Sequence, residues 1–285
     1  MIFIPVTGDS FRVLPETPEQ LLAKTAELVH IPTIFGYTTD DGTWMVPDSE
    51  DDGVSYAEFN FILNYFIEIY FPPSQRVELL KRVKNLYLPS GISQSSLSRV
   101  ELRTILINMA TDFSMAAYIA KQAMLFSKAS TTGTYVFQFD YRPSYSAAPL
   151  WYGVGHTDEK GFVLGLPAGP YPFAYPNTTA EDRYVADLMT TLWSNFAKTG
   201  DPTPQPLNWP AGLRWPSFSD DPRRILVIGV EPEVRNFDKE QAVVAWTGNS
   251  TTSMPDSGGS VKAHLGVLWF ALFFTCGIVR KVSIL

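Results

Sequence analysis

The run Ile31-Pro32-Thr33-Ile34-Phe35-Gly36-Tyr37 is β-rich and apolar throughout, with no polar residue at every second place. A strand that buries one face alternates apolar and polar side chains, so an unbroken run reads as a parallel strand buried on both faces. Such a strand needs helices above and below it. The rest of the chain provides them: β-rich segments at Ile2 to Val6, Thr134 to Tyr141 and Arg224 to Ile228 alternate with helical patterns. That order is the signature of an α/β fold, a mostly parallel sheet flanked by helices.

The helices announce themselves by caps and period. Thr17-Pro18-Glu19-Gln20 opens a helix of about ten residues carrying Leu21, Leu22 and Leu28, with a threonine cap and a proline at the first helical place. Tyr56 to Ile69, Ser74 to Tyr87 and Leu102 to Phe126 read as helices that cover the sheet, either as ordinary core or as a pocket wall. Thr178-Thr179-Ala180-Glu181 reads as a capping box for a helix with Val185, Leu188, Met189, Leu192, Trp193 and Phe196 on one face, stopped by Gly200 and Pro202. Phe237 to Trp246 closes the folded part as a short helix.

Composition narrows the function classes. The net charge is −7 and no Lys/Arg block occurs, which excludes the electrostatic footprint of a nucleic-acid partner. The single cysteine, Cys276, lies in the apolar tail, so residues 1–246 hold no disulfide and no thiolate metal site. Two sequons, Asn177-Thr178-Thr179 and Asn249-Ser250-Thr251, fit a glycosylated exterior. The N-terminus has neither the basic region nor the apolar run of a signal peptide, and reads as the middle of a domain.

Three segments are expected: a folded domain over 1–246, a flexible Gly/Ser/Thr/Pro linker over 247–263, and a hydrophobic tail over 264–285. Leu265 to Val279 would make about 22 Å of helix, short of a hydrocarbon core of about 30 Å. It reads as a short transmembrane helix held by Arg280 and Lys281, or as a lipid-anchor signal beginning at Ser257-Gly258-Gly259. A buried core helix is the third option. Either anchor places the protein at a membrane, on its extracellular face or in the secretory pathway.

Chemistry concentrates in two stretches. Thr38-Thr39-Asp40-Asp41-Gly42 ends the first apolar strand, where open α/β sheets keep their sites. Gly153-Val154-Gly155-His156-Thr157-Asp158-Glu159 holds one of only three histidines, between glycines and acids. A carboxylate that fixes a histidine's tautomer and stabilises its imidazolium is the supporting half of a hydrolytic triad. Acid before histidine is the order found in α/β-hydrolases. By spacing alone, a loop histidine reads equally as a polar turn residue.

Four stretches together resemble the type-B carboxylesterases, the group that includes the cholinesterases. Phe3-Ile4-Pro5-Val6 with Leu14-Pro15 is similar to the segment ahead of that family's acid loop; Gly36-Tyr37-Thr38-Thr39-Asp40-Asp41-Gly42 resembles the acid loop itself. Gly153 to Glu159 resembles the histidine loop, and Trp193-Ser194-Asn195-Phe196-Ala197-Lys198-Thr199-Gly200-Asp201-Pro202 a late helix and turn. The resemblance implies the C-terminal half of an α/β-hydrolase over residues 1–246, with Asp41 as triad acid and His156 as base. It also implies Glu159 as a supporting acid behind them, Trp44 and Met45 beside the substrate pocket, and no cofactor.

Asp41 stands in place of the more usual Glu. Ala148 and Asp158 stand where cholinesterases carry aromatics, and these departures argue against choline-ester specificity. No Gly-x-Ser-x-Gly occurs in the sequence. The chain is therefore expected to be part of a larger serine esterase acting on a small carboxylic ester, with the nucleophile supplied upstream and no activity alone. The alternative expectation is a cholinesterase-like, non-catalytic membrane adhesion protein.

Overall fold

The computed structural model describes residues 16, 20, 31–48, 51–129, 131–169, 177–219 and 223–248. The strand expected at Ile2 to Val6, the helix after Thr17, the linker beyond Gly248 and the apolar tail lie outside the described residues.

The chain enters the sheet at β1 (Thr33–Thr38) and turns through a 3-10 segment, Asp41–Met45. Then come α1 (Tyr56–Tyr70), α2 (Pro73–Tyr87), α3 (Arg99–Thr111), a π-helical turn (Asp112–Ala116) and α4 (Ala117–Ala129). The second half is β2 (Thr134–Phe139), the short α5 (Lys160–Val163), α6 (Ala180–Thr199), β3 (Arg224–Ile228), β4 (Glu233–Asn236) and α7 (Glu240–Thr247). The strands lie in the order β1-β2-β3-β4, the first two pairs parallel and the last antiparallel. This is the mixed, helix-flanked sheet of an α/β-hydrolase portion.

The pleat divides the core in two. Successive side chains of a strand point to opposite faces. Val136, Ile225 and Val227 face one cluster, built with α1 to α4 and α7, whereas Tyr135, Phe137, Phe139, Leu226 and Ile228 face another with α6. Every residue of β2 is buried. Each large apolar side chain so enclosed contributes about 1.5–3 kcal/mol, which is why the strand cores were legible as apolar runs.

Local chemistry sets the helix ends. Ser55 and Glu58 form a capping box on α1, and Ser98 and Glu101 one on α3; each satisfies amides that the first turn leaves orphaned. Pro73 starts α2, where its missing N–H costs nothing. On α6 the box is Thr179 with Asp182, one residue later than the expected frame ending at Glu181.

The expected single helix over Leu102 to Phe126 is α3 and α4 joined by the π turn. A π turn re-phases the faces on either side of it, which the periodicity of an all-apolar stretch does not reveal. Within that turn Phe113 stacks on Phe66 at 5.2 Å and meets Trp246 of α7 at 4.9 Å. Asp112 accepts from Tyr87 Oη at 2.8 Å and pairs with Lys239 at 3.1 Å, so the closing helix is tied to the π turn by charge as well as by packing.

Asp182 holds the other half together. Fully enclosed, it accepts from Tyr141 Oη at 3.0 Å, from the Ser144 amide at 3.1 Å and hydroxyl, and from the Thr179 amide at 2.6 Å and hydroxyl at 2.8 Å. Burial opposes its ionisation, but the donors from Ser144 and Thr179 outweigh burial and hold the carboxyl below its usual range. Asp182→Ala strands those donors and should cost roughly 3 kcal/mol in urea denaturation. Because the folded value is depressed, the stabilisation is present above the unfolded value of about 3.9 and is lost as pH falls below it. In Asp182→Asn that acid-side decline should be shallower.

Candidate functional site

The site forms where β1 and β2 end. Asp41 sits in the 3-10 turn after β1 and is 1% exposed; His156 sits in the loop that follows β2, with 17% of its side chain exposed. Across 115 residues of sequence, His156 Nδ1 and Asp41 Oδ1 lie 2.5 Å apart. The carboxylate oxygen accepts, so Nδ1 carries the hydrogen, and in the neutral imidazole Nε2 keeps its lone pair. Among the described residues nothing is bonded to Nε2. The other oxygen of Asp41 accepts from the Thr38 amide at 2.8 Å, which fixes the carboxylate's rotation.

Both loops are laced to each other and to the helices. Asp40 donates its amide to the Val154 carbonyl at 3.0 Å and accepts from the Val154 amide at 2.9 Å. Thr43 Oγ1 donates to the Asp40 and Tyr152 carbonyls at 2.6 and 3.1 Å. The Gly42 amide donates to Thr111 Oγ1 at the end of α3, 2.8 Å away. A Cβ at Gly42 would lie 2.2 Å from the Thr111 nitrogen, so the residue after the acid must be glycine. Gly153, at φ +61°, is required twice, by its left-handed backbone and by Asp40 Oδ2, 2.0 Å from where a Cβ would be.

Arg142 clamps the approach to the histidine, donating to the Gly153 and Ala148 carbonyls at 2.8 and 2.5 Å. Thr157, directly after His156, has φ +75°, a left-handed conformation that costs a β-branched residue on the order of 1–3 kcal/mol. That strain is held by the surrounding hydrogen bonds, including the Gly155 amide donating to Asp158 Oδ2 at 2.8 Å.

The acids around the imidazole set its charge. Burial disfavours the charged histidine, but the hydrogen bond and charge of Asp41 outweigh burial and raise its pKa above the ordinary value. Glu159 is pushed up to about 7, by burial first and then by the charge of Asp41, and its Oε2 is buried without a hydrogen-bond partner. Asp158 is also raised by burial.

The structure therefore brings Asp41, His156 and Glu159 together, with Trp44 beside them: its ring lies 6.3 Å from the imidazole and is 42% exposed. Met45, next in sequence, is partly buried and packs against the helical core cluster. Asn177 is exposed just before α6, and Asn249 lies outside the described residues. Among the described residues no cluster of three or more His, Cys, Asp or Glu is arranged to hold a metal ion. None of their helices is long and apolar enough to cross a membrane.

Residues 1–246 match the family model described as Carboxylesterase family. The chain belongs to the carboxylesterase family. Human neuroligin-2 is 27% identical over 256 residues, which cover 85% of this chain and 30% of that protein. Mouse neuroligin-3 is 26% identical over 255 residues, again 85% of this chain and 30% of the relative. The chain thus spans less than a third of the length of the curated relatives it matches.

Within this carboxylesterase-family arrangement, sequence reasoning missed Thr38, Asp40, Thr111 and Arg142 as the residues that hold the two loops. Asp40 is adjacent to the acid, and that adjacency was its only sequence signal. Thr111 acts on the Gly42 amide 69 residues away and left no local signal, whereas Arg142 braces carbonyls only 6 and 11 residues further along the histidine loop.

The geometry sets an expected titration. His156 should titrate above about 6.5, and Asp41→Asn, which removes the charge but leaves the burial, should bring it below that value, as read by NMR of the imidazole ring. With its folded pKa raised, the pair contributes stability that is fully present below about pH 6.5 and is lost as pH rises through the folded value.

Proposed function

We propose that this chain is part of a cholinesterase-like, non-catalytic adhesion protein of the carboxylesterase family. The observation that carries this reading is that the relatives compared above, matched over 85% of this chain, bear the name neuroligin. The exposed face of α1 supports it. Phe61, Tyr65 and Ile69 recur there every four residues, and the first two rings stack at 6.1 Å, an apolar surface suited to a protein partner. The apolar tail at 265–279 attaches the protein to a membrane by a span or a lipid, with the folded part, its sequon at Asn177 and the linker sequon at Asn249 on the extracellular side.

The geometry of the site favours a second reading, a serine carboxylic-ester hydrolase in which Asp41 and His156 serve as orienting acid and general base. Its specific support is the 2.5 Å contact between them. In that reading a serine attacks the ester carbonyl, His156 Nε2 takes the proton and returns it to the leaving alcohol, and Asp41 stabilises the imidazolium. Water then releases the acyl group by the same base. Glu159 lies close enough to influence the imidazole's charge, and Trp44 borders the space before it.

Both readings keep the acid and histidine, so the test must separate their uses. In the natural polypeptide carrying this chain, p-nitrophenyl acetate turnover and labelling by a fluorophosphonate probe should be absent. Cells displaying it should aggregate with partner cells, and His156→Ala should leave that aggregation unchanged. Turnover that falls about 10³-fold or more in His156→Ala and Asp41→Asn would instead establish the hydrolase.

A further inference from the structure

A cleft of about 360 Å³ opens beside Tyr135, Asp201, Arg214, Trp215, Ser217 and Arg224. Tyr135 is near the start of β2 and Arg224 starts β3, so this cleft lies at the opposite end of the parallel strands from Asp41 and His156. Its walls are held in place. Trp215, 2% exposed, donates its amide to Thr203 Oγ1 at 2.9 Å and its indole N–H to the Val136 carbonyl at 3.1 Å. Asp201 Oδ1 accepts from the Thr203 amide at 2.8 Å, and Ser217 Oγ donates to the Thr134 carbonyl at 3.2 Å.

Against this fixed frame stand two exposed guanidinium groups. Neither Arg214 nor Arg224 makes an ion pair or a side-chain hydrogen bond with a described residue. Two like charges facing one cleft repel each other, and an anion entering between them relieves that repulsion. Their rigid donor forks match the paired oxygens of a tetrahedral oxyanion. With Asp201 counted, the lining carries one net positive charge. The volume is at the small end of organic-ligand sites, which run from roughly 300 to 1,000 Å³, and is more than a bare ion fills. Asp201 is placed to accept a hydroxyl from the body of such a ligand.

We infer that this cleft is a binding site for a small hydroxylated phosphate or sulfate monoester, gripped by Arg214 and Arg224. The site is independent of the acid–histidine pair and of either functional reading.

Isothermal titration of the full chain with glucose 6-phosphate and with glucose 6-sulfate tests it, glucose and sodium chloride at matched ionic strength serving as controls. At least one ester should bind where the controls do not, and the better one identifies the oxyanion. Arg214→Ala and Arg224→Ala should each weaken binding about tenfold or more, and Arg214→Lys, which keeps the charge but loses the fork, by less. The exposed positions leave the core intact. His156→Ala should bind as the wild type does. Absence of heat with both esters, or equal binding by an Arg214→Ala/Arg224→Ala double variant, would overturn the assignment.

Discussion

Strand β2 must satisfy its backbone against β1 and β3 while turning no face to water, and much of the architecture follows from that constraint. Its odd-numbered residues demand the α6 side, and Val136 demands the side built by α1 to α4. A buried parallel strand can be reached only through crossover connections, so the helices on either face are a consequence of the pairing. The C-terminal ends of β1 and β2 then lie side by side, and the loops leaving them have to meet.

What those loops do on meeting is governed by charge in a confined space. Asp40 ties the acid loop to the histidine loop through Val154, leaving Asp41 free to face the imidazole. Burial alone would lower the histidine's pKa, and Asp41 reverses that direction; burial of Glu159 outweighs its own backbone amide and the nearby His156 and Lys160 charges and raises it to about 7. An arrangement of this kind persists as an acid–base pair whatever the natural polypeptide does with it. Adhesion and hydrolysis both accommodate it; its geometry supports the second, and the neuroligin relatives support the first.

Legibility in the sequence followed the range of the interaction. β2 and the core of β3 printed themselves as apolar runs because burial on both faces leaves no other choice of residue; β1, whose apolar run also read as buried on both faces, is only half-buried from Thr33 to Gly36, since among the described strands it pairs with β2 alone. β4, Glu-Val-Arg-Asn, did not: it is an antiparallel edge strand with exposed ends, and its residues look like a loop. The α6 cap was readable in kind but not in frame, since Thr178 to Glu181 and Thr179 to Asp182 both satisfy the pattern. Tertiary contacts chose the second, because Tyr141 and Ser144 also converge on Asp182. The π turn was hidden because an apolar stretch buried on most sides carries no phase to lose.

The sequence by itself determined which segments would be buried, the order of acid and histidine, and the glycines that let their loops turn. These are matters of residue type and of neighbours a few places away. Only the tertiary structure decided that Asp41 and His156 touch, that Thr111 and Arg142 hold them there, and that Arg214 and Arg224 share a cleft at the far end of the sheet. The first depends on loops 115 residues apart and the hold of Thr111 on Gly42 on a separation of 69, while Arg142 and the arginine pair depend on how shorter loops fold back; all are set by strand register and helix packing and encoded in no local pattern.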